Sequence, residues 1–546
     1  MRSRRFSTPL LACAALTLAG ACHQYMPAPP PPPPPPPMPV AFSGLTAGNA
    51  ELERRRERFN TEEYRHIDEN DFLDVAANPL STFAIDVDAA SYANVRRFLR
   101  ERRLPPADAV RIEELVNYFD YDYADPDGEH PFSIVTEVSA APWNPAHRLV
   151  HVGLQGKRME RRELPPSNLV FLIDVSGSMQ SYDKLPLVKE SLRLLVNQLR
   201  PQDRVAIVVY AGRAGLVLPS TPGNERRRIM EAIDELEAGG STAGGAGIRL
   251  AYEVAREYFA DGGNNRVILA TDGDFNVGAS SEGELVRMIE ERRDQGIFLT
   301  VLGFGTGNLK DGRMEQLADH GNGNYAYVDG ESEARKVLVR EMGGTLVTIA
   351  KDVKVQVEFN PAHVRAYRLI GYENRLLAAE DFNDDRKDGG ELGAGHSVTA
   401  LYEIVPVGAP SPAGNVDALR YQEVRPRPGA AVSDELLTVK LRYKAPEGER
   451  SWVIEQPVRD RGTELARASD DFRFAAAVAE WGMLLRDSPH RGEATFEGVA
   501  ELAQGALGHD EHGYRAEFVR MVGESERLAR RERVADRRRD DDNRRR

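Results

Sequence analysis

Leu169-Val170-Phe171-Leu172-Ile173-Asp174-Val175-Ser176-Gly177-Ser178 is an unbroken apolar run that ends abruptly in an acid and two hydroxyls. Such a run reads as a strand buried on both faces, the habit of parallel sheets. Working outward, apolar residues recur at helical spacing over Leu185 to Leu199, and Val205 to Tyr210 is a second buried strand. Helices are expected over Glu225 to Leu236 and Ala246 to Phe259, and a strand over Val267 to Thr271. A helix over Glu282 to Asp294, a strand over Ile297 to Gly303 and a short helix over Met314 to Asp319 follow. Tyr325 to Val328 reads as the last strand and Glu331 to Ile349 as the last helix. This alternation over 166–350 predicts an α/β unit, a doubly wound and mostly parallel Rossmann-like sheet with helices on both faces.

In such sheets ligands bind just beyond the carboxyl ends of the strands. Asp174, Ser176 and Ser178 fall there. Gly239-Gly240-Ser241-Thr242 precedes a helix and brings the Thr242 hydroxyl, and the strand ending Ala270-Thr271-Asp272-Gly273 brings a second carboxylate. Each segment alone could be a capped turn or an ordinary loop. Together they make a donor set of oxygen alone. Hard oxygen donors suit Mg²⁺, or Mn²⁺ or Ca²⁺, rather than zinc or copper. Mg²⁺ keeps several waters, so few protein bonds suffice and one position can stay open.

The order Asp-x-Ser-x-Ser, Gly-Gly-Ser-Thr, Thr-Asp-Gly resembles the metal-ion-dependent adhesion site (MIDAS) of von Willebrand factor type A domains, over about Asn168 to Ala350. The resemblance implies that Ser176, Ser178 and Thr242 bind the metal directly or nearly so. It implies that Asp174 and Asp272 act mainly through water and hold the serines. The open position would take an Asp or Glu carboxylate of a protein partner. The flanks add to this. Phe83-Ala84-Ile85-Asp86-Val87-Asp88-Ala89-Ala90-Ser91-Tyr92 and Arg111-Ile112-Glu113-Glu114-Leu115-Val116-Asn117-Tyr118-Phe119 resemble the segment preceding this domain in bacterial YfbK-like lipoproteins. Gly393-Ala394-Gly395-His396-Ser397-Val398-Thr399-Ala400-Leu401-Tyr402-Glu403 is similar to the C-terminal domain of unknown function in that family.

The remainder sets the context. A chain of 546 residues has room for three or four folded units. Its net charge of −14 argues against nucleic acid as a partner. Arg2, Arg4 and Arg5 precede an apolar stretch from Pro9 to Gly20, which reads as a signal peptide and is too short to span a bilayer. Leu18-Ala19-Gly20-Ala21-Cys22 resembles a bacterial lipobox with Ala19 in the usual leucine position, so Cys22 is the expected lipidation site over a signal of 1–22. Ordinary cleavage after Ala21 is the alternative. With Cys13 in the signal, no cysteine is left for a disulfide. The expected location is the cell envelope, anchored to a membrane by lipid; His23 at the next position points to the outer one where the cell has two. Pro29 to Pro37 makes 23–42 a semi-rigid polyproline linker.

The expected units are then an N-terminal α+β region at 43–165, the type A domain at 166–350, a β-rich then helical domain at 351–529 and a disordered charged tail at 530–546. Glu51 to His66 is expected to be helical, and a β-rich unit after Lys351 to pack on the type A sheet.

Three other motifs carry little. Asp86-Val87-Asp88 resembles a phosphatase nucleophile motif, but Ala90 stands where that motif needs Thr or Val. Gly303-Phe304-Gly305-Thr306-Gly307 reads as a tight turn rather than a dinucleotide loop. Asp381, Asn383 and Asp385 have calcium-loop spacing, yet Arg386 replaces the glycine and Leu392 the glutamate. The sequence therefore points to a non-catalytic protein-binding module. An envelope enzyme with an unrecognised active site, targeted by its type A domain, is the alternative.

Overall fold

The computed structural model describes residues 61–212, 214–240, 244–273, 275, 282–341, 347–387, 389–413, 427 and 429–545. Thr242 and Cys22 therefore lie outside the described residues, as do the signal and the polyproline linker. The chain runs through β1 (Leu73–Asp74), β2 (Leu80–Ala84), α1 (Ala90–Arg100), α2 (Ile112–Val116), β3 (Phe132–Ala141) and β4 (Asn144–Gly156). It continues with β5 (Ser167–Asp174), α3 (Leu185–Val196), β6 (Arg204–Tyr210), β7 (Ala214–Pro222), α4 (Arg226–Asp234) and α5 (Gly244–Glu257). β8 (Asn264–Thr271), α6 (Glu282–Asp294), β9 (Ile297–Phe304), α7 (Asp311–His320), β10 (Tyr325–Val328) and α8 (Glu331–Arg335) follow. The last part holds β11 (Thr348–Phe359), β12 (Val364–Ile370), β13 (Leu376–Leu377), β14 (Leu392–Gly393), β15 (Ser397–Pro406), β16 (Glu435–Lys444) and β17 (Ser451–Arg459). It closes with α9 (Asp470–Arg486), α10 (Phe496–Gln504) and α11 (Tyr514–Arg545).

The doubly wound sheet is present. Among the described residues its order is β10-β9-β8-β5-β6-β7, parallel except for β7. Successive side chains of a strand point to opposite faces. Leu169, Phe171 and Ile173 of β5 accordingly pack against Val188, Leu192 and Ile229 of α3 and α4, while Val170 and Leu172 pack against Ile248 and Ala251 of α5. β5 thus lies in the middle of the sheet, and its last residue, Asp174, emerges at the carboxyl edge. β7 is not foreseen from the sequence. Pro219 and Pro222 break its apolar pattern, which only an edge strand tolerates. The expected long helix after Glu331 is corrected: an α-helical turn passes into a π-helix at Lys336–Glu341, and Thr348 and Ile349 already belong to β11.

The two flanking regions, 43–165 and 351–529, interleave their strands. The remaining strands form two sheets, of order β1-β12-β15-β4-β3 and β13-β2-β11-β16-β17, each drawing strands from both sides of the type A domain. The two sheets face each other. Val150, Val152 and Leu154 of β4 share one apolar core with Val355 and Val357 of β11 and with Val439 and Leu441 of β16. Phe359 stacks on Tyr367 at 3.9 Å between ring centres and ties one sheet to the other. The other face of the first sheet, through Leu149, Ile370 and Leu401, is covered by α1, α2 and α9 to α11 around Trp481 and Phe518. The type A domain is thus an insertion in a composite frame.

Buried ion pairs join the two. Arg96 of α1 donates to Asp329 at 2.6 and 2.8 Å, to Glu333 at 2.5 Å and to Glu517 at 3.1 Å. Arg111 pairs with Glu114 and with Asp311 of α7, and Arg375 with Asp319 and Glu315 of the same helix. Asp88 accepts from the Tyr325 amide at 2.7 Å, so the Asp86-Val87-Asp88 motif serves this junction. Two more expectations are corrected. Thr61 to His66 is extended rather than helical: the Thr61 and Glu63 amides bond the Gly307 and Leu309 carbonyls at 2.8 and 3.0 Å. The tail from Arg530 is not disordered but continues α11 to Arg545. Its alternating charges fall at helical spacing, as in the Arg530–Glu526 pair at 2.6 Å.

One buried acid makes the frame pH-sensitive. Desolvation pushes the Glu480 carboxyl of α9 from 4.5 up to about 7. An acid raised in the folded state costs nothing below the unfolded value and destabilises progressively as pH rises to the folded one. Between pH 4.5 and 7 the frame should therefore lose stability, by about 1–3 kcal/mol from this residue. Urea unfolding should show Glu480→Gln stabilising the protein by that amount at pH 8 and having no effect near pH 4. An equal effect at both pH values would assign the gain to packing instead.

Candidate functional site

The turn after β5 converges its polar groups on one point. Asp174 is wholly buried, and its Oδ1 accepts the Ser176 amide at 2.8 Å. The Ser176 and Ser178 hydroxyls lie 3.0 Å apart. Neighbouring strand ends hold the other carboxylate oxygen of Asp174. The Tyr210 phenol at the end of β6 donates to Oδ2 at 3.1 Å, and the Thr271 hydroxyl at the end of β8 at 3.4 Å. Burial pushes the Asp174 carboxyl up to about 6, against the pull of the Ser176 and Tyr210 bonds, and the nearby Asp272 charge adds to the rise. The site thus concentrates negative charge that nothing in this turn neutralises.

The other two segments reach the same edge. The Gly239 amide bonds the Val175 carbonyl at 2.7 Å and the Gly177 amide bonds the Gly240 carbonyl at 3.1 Å. The Gly-Gly start of the second segment is therefore stitched to the serine turn as far as Gly240. Asp272 follows directly on β8, buried, and its Oδ2 accepts from Lys184 Nζ at 2.7 Å and from Asn308 Nδ2 at 3.2 Å. Gly273 holds φ +102°, and a Cβ there would come within 2.5 Å of the Asn308 carbonyl. Only glycine lets the Asp272 loop lie against the 307–310 loop, which Thr61 to Glu63 pin from the frame.

Of the residues expected from the sequence, Asp174, Ser176, Ser178 and Asp272 are brought to one edge. Lys184, Asn308 and Tyr210 were not foreseen. A lysine six residues beyond Ser178 looks like a solvated helix start, and Asn308 comes from the loop after β9, which carries none of the expected site residues. Tyr210 had a signal, since it ends a strand that the sequence places in the same sheet. The described donors are oxygens with no sulfur or imidazole, which fits a hard divalent cation.

The other acidic motifs resolve differently. Asp88, Glu114 and Glu315 each bring one carboxylate oxygen within 4.8 Å of the others. Arg111 and Arg375 run through this group and make it the domain junction described above. Asp384 and Asp385 are taken by Arg386 and by Arg442. Gly305 and Gly307 are left-handed, at φ +73° and +91°, as a tight turn requires. No helix among the described residues is long and apolar enough to cross a membrane.

Three family models match consecutive segments of the chain. The model of the von Willebrand factor type A domain matches residues 168–340, a von Willebrand factor model matches 58–151, and that of "uncharacterized protein YfbK, C-terminal" matches 344–528. The chain is 46% identical to uncharacterized protein YfbK of Escherichia coli over 469 residues, 85% of this chain and 80% of that one. It is 27% identical to inter-alpha-trypsin inhibitor heavy chain H3 of Pongo abelii over 260 residues, 44% of this chain and 29% of that one. Among solved structures, a von Willebrand factor type A protein from Catenulispora acidiphila aligns with a TM-score of 0.38 at 17% identity, over 74% of this chain and 91% of that one.

The phenol contact can be tested without any ligand. Tyr210→Phe removes the Oδ2 donor and keeps the ring packed edge-on against Phe275 at 5.4 Å. Losing a hydrogen bond to a buried carboxylate should cost about 1–3 kcal/mol in urea unfolding in EDTA. An unchanged midpoint would show that the serine turn and the Thr271 hydroxyl hold Asp174 without the phenol.

Proposed function

The chain belongs to the family of YfbK, with a von Willebrand factor type A domain, and on that premise we propose that it binds a protein partner through a divalent cation held at the carboxyl edge of the type A sheet. The observation that carries this reading is the convergence of Asp174, Ser176 and Ser178 in one turn, with the two hydroxyls 3.0 Å apart and the segment leading to Thr242 stitched to it. In this reading Ser176, Ser178 and Thr242 hold the ion, Mg²⁺ by preference and Mn²⁺ or Ca²⁺ as alternatives, and Asp174 and Asp272 act mainly through water. A bound ion supplies an exchangeable position for an Asp or Glu of the partner. The contact would be charge-assisted, in a crevice walled by buried groups.

The envelope setting is part of the same proposal. A lipid on Cys22, followed by the proline run, would tether the folded part to a membrane on a semi-rigid arm. Each buried methylene of such a lipid adds about 0.8 kcal/mol of membrane affinity.

Three outcomes check the reading. Millimolar Mg²⁺ or Mn²⁺ at a site of ~0.1 mM affinity should stabilise the fold by about 1–1.5 kcal/mol, and Asp272→Ala should abolish the shift. A partner found by cross-linking in the native envelope should bind roughly ten- to a hundredfold more weakly in EDTA or with Ser178→Ala. Equal affinity in all conditions would place the partner on another surface. Cys22→Ala should release the protein from the membrane fraction, and unchanged fractionation would refute the anchor.

A further inference from the structure

Lys184 immediately precedes α3 and turns its side chain toward Asp272. That side chain is 8% exposed, the Asp272 side chain is fully buried, and the two are 2.7 Å apart. A lysine is rarely buried to this degree unless it is paired. Its seat is built for it. Gly305 holds φ +73°, and a Cβ at that position would lie 2.3 Å from Lys184 Cγ, so the aliphatic stem lies directly across the turn after β9. Asn308, from the same turn region, donates to the same Asp272 oxygen. The amine therefore already holds one oxygen of a carboxylate whose charge would otherwise serve the divalent ion.

We propose that Lys184 is a tethered cation that competes with the divalent ion for Asp272 and so sets the affinity of the site. The inference rests on the metal-binding reading above. Among the described site side chains, Asp174 and Asp272 contribute two negative charges and Lys184 returns one. A divalent ion then leaves the site with one net positive charge, which an acidic partner side chain cancels. Without the lysine the loaded site would be neutral, and the same partner would bring an uncompensated charge. Two cations a few ångströms apart in a buried setting repel strongly, so the lysine weakens the ion's hold and keeps its binding reversible. When the ion is absent, the lysine adds a positive charge beside the buried Asp272 carboxylate, and that offsets part of the cost of burying it.

The test uses the full chain and Mn²⁺ as the probe, with free Mn²⁺ followed by electron paramagnetic resonance. Lys184→Met should bind Mn²⁺ at least about tenfold more tightly than the wild type, and Lys184→Arg should stay near the wild type. In EDTA, Lys184→Met should melt at a lower temperature and gain more on adding Mn²⁺. Gly305→Ala, which pushes the lysine stem off its seat, should shift Mn²⁺ affinity in the same direction, so the inference stays testable if Lys184→Met does not fold. Equal or weaker Mn²⁺ binding by Lys184→Met, with the wild type binding normally, would overturn the competition and leave the metal reading intact. Wild-type protein that binds no Mn²⁺ would overturn both.

Discussion

The hydrogen bonding of β4 to β15 is the constraint on which the rest depends. Gln155 faces Ser397 and Arg148 faces Ile404, so strands from opposite sides of the type A domain run side by side through a continuous antiparallel register. The same closure recurs where β2 pairs with β11, from Ala84 opposite Lys354 to Leu80 opposite Glu358. Between these strands the chain leaves to build a complete doubly wound domain and returns. The entropy of closing so long a loop grows only logarithmically, each doubling adding about 0.6 kcal/mol. A self-contained domain is therefore an inexpensive insertion, provided that its two ends emerge close together. Gly156 accordingly faces the segment that follows the insertion: its amide bonds the His396 carbonyl at 2.8 Å, and a Cβ on it would meet the Gly393 carbonyl.

The frame does more than hold two ends. Arg96 reaches from α1 to Asp329 and Glu333 just past β10, while Arg111 and Arg375 grip α7. These are buried guanidiniums with several carboxylates each, and removing one partner from such a set leaves an uncompensated charge. That favours a defined seating of the inserted domain over a loose tether. One strut reaches the site itself. Thr61 to Glu63 bond the 307–310 segment, whose Asn308 touches Asp272. A load on the N-terminal segment would thus bear on the loop that holds one of the site carboxylates. The site sits at the sheet edge, and one of the loops beside it is braced from outside the sheet.

Much of this was legible in the sequence, and the reasons are specific. β5 is apolar on both faces because helices cover both, so its run from Leu169 to Ile173 could hardly be anything else. The hydroxyls and carboxylates fell at strand ends, where an α/β sheet presents its ligands. Other features were hidden for equally specific reasons. β7 carries two prolines and exposed Leu216 and Val217, as an edge strand does, and shows no clean alternation. Thr61 to His66 is charged enough to resemble a helix, but Glu62 and Glu63 are spent on Arg97 and Lys310. The composite frame was invisible because strand pairing across the whole type A domain leaves no local signature. Period-two patterns at Phe132 to Val138 and at Val398 to Val405 each look like half of an independent unit. Lys184 was missed because a lysine at a helix start is ordinarily solvated, and only the close approach of Gly305 reveals that it is not.

Native-state hydrogen exchange along a urea series is the most direct test of the composite frame. Val152 of β4 and Ala400 of β15 face each other in the register, one from each side of the insertion. If the frame is one cooperative unit, their amides open with the same free energy and the same urea dependence, as members of one unit do. Opening of the β5 and β8 amides should form a separate class, since the inserted domain has cores of its own. A low-energy opening of β4 alone, with β15 still protected, would contradict the account and return the flanks to two independent domains.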